Sequence, residues 1–292
     1  MKKQTKKRIL FALCIILVFL IAFMAYEYYT EYQSGILKED SESAESIHFS
    51  QNEATENTDF AQTFQSDILC GDNEIPVCSG NEYGKTHEII KHDFYTLCYC
   101  EKFEQSEWVA YQLTASELEK VADRKNNFNS DPAVSTGSAT PSDYKGSGYD
   151  RGHLAPAADM SFSEHAMDES FFMSNMSPQA PDLNRGLWLK MEEIEREWAK
   201  KYGSVYIVSG PVLNREDFAT IGENEVAVPE FFYKILVSWV DSSASAGHYV
   251  WIAYLAPNGK TSNNPSDFVS TVSEIESLTG IDFFPALNAV VK

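Results

Sequence analysis

The segment YDRGHLAPAADM, residues 149–160, places an acid, an arginine and a histidine within four positions: Asp150, Arg151 and His153. An imidazole titrates near neutral pH and can take a proton from water. A guanidinium is planar, always charged and matched to phosphate oxygens. Downstream, SNMSPQAPDLNRGLWLKMEEIE supplies Asn184 and Glu192, 31 and 39 residues after His153. The Asn184 amide oxygen suits a hard cation such as Mg2+; Asn is equally a good helix N-cap. In an α-helix Glu192 lies about 80° round and about 12 Å along from Asn184, so the two share a broad face. From there it could hold the waters of a hydrated ion rather than the ion itself. Base, arginine, metal ligand and acid are the parts of metal-assisted phosphodiester hydrolysis. Each also has a plain structural reading: a histidine in a glycine turn, an N-cap, a solvated acidic face, a local Asp150–Arg151 ion pair. Spacing alone leaves the choice open.

The elements that must position these groups are partly legible. HEIIKHDFYTLCYC (87–100) and EWVAYQLTA (107–115) read as strands joined by the polar turn EKFEQS, and ASELEKVAD as a short helical turn. A long polar stretch rich in Gly, Pro, Ser and Asn then runs to His153; such a loop in a compact domain is functional or disordered. GLWLKMEEIEREWAKKYG (186–203) predicts a helix with Leu187, Trp188, Met191, Ile194 and Trp198 on one side and Gly203 at its end. SVYIVSGPVL, FFYKILVSWV and HYVWIAYLAP read as core strands, and SDFVSTVSEIESLTGIDFF as a helix ending near Gly280. Strands on both sides of a central helix indicate a mixed α+β domain with a central, largely antiparallel sheet flanked by helices, spanning 67–292.

Charge and cysteines bound the setting. The net charge is −20 over 292 residues. Residues 1–26 carry +5, 27–67 carry −9, and the remainder −16. A bulk basic surface for nucleic acid is therefore absent, and a polyanion must be met by local cations or a metal ion. After Lys2, Lys3, Lys6, Lys7 and Arg8 comes an uncharged run of 18 residues, Ile9–Tyr26. That is near the length needed to span a bilayer and longer than a usual signal-peptide core. The reading is an N-terminal transmembrane helix in 1–26, an uncleaved anchor with its basic flank in the cytoplasm and the rest of the chain outside, or secreted if it is cleaved. Residues 27–66 are an acidic, flexible linker. In an exported chain Cys70, Cys78, Cys98 and Cys100 form an even set suited to disulfides, with Cys98 and Cys100 each able to reach a loop cysteine. The pairing is open, and a four-cysteine zinc site is the rival.

YDRGHLAPAADM followed by SNMSPQAPDLNRGLWLKMEEIE closely resembles the DNA/RNA non-specific endonuclease family, with its Asp-Arg-Gly-His motif and ββα-metal core. EWVAYQLT, DPAV, SDYKGSGYDRGH, VYIVSGPV and SEIESLTGIDFF resemble further family signposts, so the likeness covers 87–287. It implies His153 as the base that activates the attacking water. Asn184 would be the one direct protein ligand of a hydrated Mg2+, or of Mn2+, and Glu192 the acid that hydrogen-bonds the metal's waters. Arg151 would support the scissile phosphate, with Arg124 matched to a further phosphate-binding arginine; Asn175 and Gln179 would brace the site. The implied reaction is endonucleolytic hydrolysis of DNA and RNA leaving 5′-phosphate ends, with recognition by backbone rather than base edges.

Two other readings stand beside it: a phosphodiesterase of the same fold with another substrate, kept open by the charge of −16 over residues 68–292, and an anchored nucleic-acid-binding module with an inert site. A serine nucleophile at Ser174 or Ser177 lacks the nucleophile-elbow pattern.

Overall fold

The structure, a computed structural model, describes residues 75–80, 84–241 and 247–285. The expected anchor and acidic linker, 1–66, lie outside the described residues, as does Cys70. Among the described residues no helix is long and apolar enough to cross a membrane.

The chain builds a seven-stranded antiparallel sheet in the order β1 (His87–Lys91), β2 (Thr96–Cys100), β3 (Gln105–Thr114), β6 (Ser204–Pro211), β9 (Phe231–Val240), β10 (His248–Pro257) and β11 (Val269–Ser270), with β7 (Thr220–Ile221) and β8 (Val226–Ala227) paired apart from it. The mixed α+β expectation holds, and the three apolar runs expected as core strands are β6, β9 and β10. Alternation along β6 and β9 sends side chains to both faces. Val205, Ile207, Phe232 and Leu236 join one apolar cluster, while Tyr206, Val208, Tyr233, Ile235 and Val237 join the other. Helices cover both faces. α1 (Glu164–Ser170) and α2 (Trp188–Tyr202) contribute Ala166, Trp188, Met191 and Ala199 to the first cluster; α3 (Val272–Thr279) contributes Val272 and Ile275 to the second. Burying Trp188 or Met191 in this way stabilises the fold by roughly 1.5–3 kcal/mol each. Gly280 ends α3 at φ 72°, the left-handed cap that glycine favours.

Three sequence expectations need correction. The stretch 87–100 is a hairpin, not one strand: it turns over His92–Tyr95, with His92 N–H donating to the Tyr95 carbonyl at 2.9 Å. Residues 181–187 are already helical, with a π-turn over Leu183–Leu187 that leads into α2, so Asn184 lies inside the first turns and is not an N-cap. The buried stripe of α2 is Trp188, Met191, Glu195 and Ala199, placing a carboxylate in the core where Lys234 meets it at 2.7 Å. Both side chains are fully buried, so losing either partner would strand a charge.

Cys78 and Cys98 form a disulfide, which excludes the four-cysteine zinc site. Cys100 is a buried free thiol, and burial, aided by Glu107, pushes it up to about 12.

Candidate active site

The long polar loop ends in a strand the sequence did not reveal. β4 (Asp150–His153) pairs antiparallel with β5 (Met176–Gln179), setting Asp150 opposite Gln179, Gly152 opposite Ser177 and His153 opposite Met176. β5 runs through Ala180 into the π-turn and α2, so the two strands and the helix form a ββα unit carrying Arg151, His153, Asn184 and Glu192, while Arg124 comes from the preceding loop. Glycine at 152 is forced by contact: a Cβ there would stand 2.3 Å from the side chain of buried Gln179. The Trp188 indole N–H donates to the His153 carbonyl at 3.1 Å, tying the helix start to the strand end.

His153 is 6% exposed, and its Nε2 has no hydrogen-bond partner. Its ring stands edge-on to Phe171 at 5.1 Å and 5.8 Å from Phe128. Each aromatic carries an arginine: the Arg151 guanidinium lies 3.9 Å from the Phe128 centroid and that of Arg124 5.1 Å from the Phe171 centroid. Burial, and then the charges of Arg124 and Arg151, push the imidazole down to about 3. His153 therefore rests neutral, with an unpaired ring nitrogen between two cations.

Asp150, whose role the sequence left undefined, pairs with Arg185 and not with Arg151. Arg185 donates twice, from Nε at 2.8 Å and Nη2 at 2.7 Å. Asn184 Nδ2 donates to the same carboxylate at 2.9 Å. Burial alone would raise Asp150, but these hydrogen bonds hold it below its ordinary range. With its NH2 committed to Asp150, Asn184 has its Oδ1 as the atom left to ligate. A π-turn carries one extra residue, so the eight positions to Glu192 behave like about seven of an α-helix. The offset between them falls to roughly 20°. Replacing Asp150 with alanine is expected to cut cleavage about 10- to 100-fold, the range for losing a group that orients a metal ligand. Part of that loss should return as Mg2+ is raised; initial rates across an Mg2+ series check it.

Burial pushes the Glu192 carboxyl up to about 7, reinforced by Asp159 and opposed by Lys234, Arg196 and Arg124. Two of these cations are committed elsewhere: Lys234 to Glu195, and Arg196 to Asp159 at 2.8 Å. Asp159 also accepts from the Tyr111 hydroxyl at 2.8 Å. A half-buried carboxylate short of positive charge and, about two helical turns before it, an amide oxygen with its NH2 pinned make a donor set that fits a hydrated hard cation.

Arg124 belongs to this group. Partial burial lowers its guanidinium, and Glu192 pulls it back up. Asn175 is fully buried, and its amide is committed to backbone: Nδ2 donates to the carbonyls of Ala155 and Ser170, and Oδ1 accepts from Ala155 N–H, all at 2.9 Å. It braces the chain just after His153 and is a positioning residue. Phe171 and Asn258 are functional residues that sequence reasoning missed. Asn258 donates to the carbonyls of Pro178 and Pro229 at 2.9 and 2.8 Å and accepts from Ala180 N–H at 2.7 Å, fixing the passage from β5 to the helix. Neither carries a sequence signal, since both act through partners distant in the chain.

Comparison with known proteins places this geometry in context. Residues 77–290 match the family described as DNA/RNA non-specific endonuclease. The mitochondrial endonuclease G of Homo sapiens is 34% identical over 215 residues, covering 69% of this chain and 71% of that protein. Nuclease C1 of Cunninghamella echinulata var. echinulata is 34% identical over 232 residues, covering 74% and 90%. A crystal structure of an EndoG/EndoGI complex matches with TM-score 0.61 at 32% identity, over 67% of this chain and 85% of that one.

Proposed function

The chain belongs to the DNA/RNA non-specific endonuclease family and is an endonuclease, a hydrolase, and we propose that it cleaves DNA and RNA phosphodiesters with His153 as general base beside a hydrated divalent ion held through Asn184. The single observation that carries this is the neutral, buried His153 with an orphaned Nε2, flanked by Arg124 and Arg151. Mg2+ is the ion we propose, with Mn2+ as its substitute. Asn184 Oδ1 would hold it, and Glu192 would accept hydrogen bonds from its waters. Bound there, the ion would supply charge stabilisation to the phosphate and the departing 3′ oxygen.

The chain's own residues do the rest. A phosphodiester entering between Arg124 and Arg151 offsets the two charges that depress His153. The imidazole then rises toward the range where it can take a proton. Its edge contact with Phe171 and its tilted contact with Phe128 fix the ring plane and exclude bulk water. Nε2 takes the proton of a water that attacks phosphorus, and the 3′ oxygen leaves, giving a 5′-phosphate end. Arg151 and Arg124 steady the non-bridging oxygens. Because these contacts reach backbone and not base edges, both sugars are accepted.

The test is digestion of plasmid and of RNA by the full chain, with Mg2+ and with excess chelator. Cleavage of both polymers, lost with chelator, is expected. Binding without cleavage would instead support the inert module, and cleavage of simple phosphodiesters but neither polymer the same-fold phosphodiesterase.

We also propose attachment through the N-terminal run Ile9–Tyr26, with the nuclease domain on the outer side of the cell membrane, or released if the run is cleaved. The basic flank before that run and the Cys78–Cys98 disulfide support an extracytoplasmic setting.

A further inference from the structure

A second set of metal-ligating side chains meets where α1 packs on the β1–β2 turn. His165 and Glu169 are four apart on α1 and so share a face; Asp93 comes from the turn. One ligating atom of each lies within 4.8 Å of the others. His165 Nε2 stands 2.9 Å from Asp93 Oδ2 and 3.5 Å from Glu169 Oε1. Ligands about 2.0–2.2 Å from a tetrahedral ion are roughly 3.3 Å apart, so the two distances from His165 already stand near that spacing.

We propose that Asp93, His165 and Glu169 bind one divalent transition-metal ion of the Zn2+ kind, separate from the ion at Asn184. A second observation points the same way: Glu169 is 7% exposed, and Oε2, the other oxygen of the carboxylate whose Oε1 stands against His165, has no hydrogen-bond partner. A buried carboxylate oxygen without a partner is costly, and a bound cation would satisfy it. Asp93 N–H donates to Glu169 Oε1 at 3.4 Å, joining the turn to the helix. His92 stands with Nδ1 3.9 Å from Glu169 Oε1 while its Nε2 is 2.9 Å from Asp131 Oδ2. The Tyr95 hydroxyl donates to the Glu169 carbonyl at 2.7 Å. Asp93 and His165 are well exposed, so an ion enters from solvent and water completes its shell. One imidazole with two carboxylates favours Zn2+ over Mg2+ or Ca2+, which prefer all-oxygen shells. The ion would staple the helix to the hairpin, and α1 leads directly into Phe171, the ring that stands against His153. Occupancy would thus stiffen one wall of the catalytic site.

Titration calorimetry with ZnCl2 on the full chain, in saturating Mg2+ to fill the Asn184 site, tests this. Wild type and Asn184→Ala should each bind one equivalent of Zn2+ at this site. His165→Ala and Asp93→Asn, both at exposed positions that leave the core intact, should weaken it at least about tenfold. Zn2+ should also slow amide exchange in Glu164–Ser170 of wild type and not of His165→Ala. Equal Zn2+ binding by wild type and His165→Ala, no Zn2+ binding by wild type, or loss of binding in Asn184→Ala alone would each overturn the proposal. None of these outcomes depends on nuclease activity.

Discussion

His153→Ala is expected to lower kcat on DNA and on RNA by about a hundred- to ten-thousand-fold, the range for removing a positioned general base. KM should change little, because phosphate contact rests with Arg124 and Arg151, which stack on Phe171 and Phe128 and not on the imidazole. The fold should survive: His153 Nε2 makes no hydrogen bond that the variant would lose, and the β4–β5 pairing is made by backbone. Steady-state rates, with thermal unfolding as a control, check this. A variant that folds and cleaves at the wild-type rate would remove His153 from the mechanism.

Asn184→Ala is the second large effect. It deletes the amide oxygen proposed as the ion's protein ligand and leaves Asp150 with Arg185 alone. The loss at fixed, sub-saturating Mg2+ should exceed about 100-fold, beyond the range for groups that only orient a ligand. Raising Mg2+ should recover part of it. Asn184→Asp sharpens the point. An added negative charge ought to favour a cation, but a carboxylate cannot donate to Asp150 as Nδ2 does at 2.9 Å. Two acids would then face each other, and Asn184→Asp should stay well below wild type. If it matched wild type, pinning by Asp150 would have no part in the site.

Much of this arrangement is legible in the residues themselves. β6, β9 and β10 are mostly apolar runs, β6 and most of β9 buried on both faces, and their length and their β-branched and aromatic content mark them. His153, Asn184 and Glu192 were picked out by chemical type, and all three fall on the ββα unit. What stayed hidden depends on partners far along the chain. The turn at His92–Tyr95 contains neither Gly nor Pro and reads as strand. It is held instead by His92 on Asp131, Asp93 on His165 and the Tyr95 hydroxyl on the Glu169 carbonyl. The π-turn over Leu183–Leu187 has no signature in composition, yet by helix geometry it narrows the angular offset between Asn184 and Glu192. Asp150 looked like a neighbour for Arg151, and only the pairing of β4 with β5 and the following helix brings Arg185 to it. Lys234 inside β9 breaks an apolar run, and its reason is Glu195, which the helical pattern assigned to solvent.

The domain's charge of −16 is reconciled with polyanion cleavage by locality. Two arginines on aromatic rings and one ion would present positive charge at the reacting phosphate, while the surrounding surface repels the rest of the polymer. Weak, salt-sensitive binding with intact chemistry is the consequence.

The most direct measurement of the central claim is hydrolysis of a short DNA duplex in water carrying heavy oxygen, with mass analysis of the new ends. Attack by a water that His153 deprotonates predicts one heavy oxygen in the 5′-phosphate of wild-type products, with labelling falling in step with rate in His153→Ala. Label in a 3′-phosphate, or unlabelled phosphate ends, would contradict it.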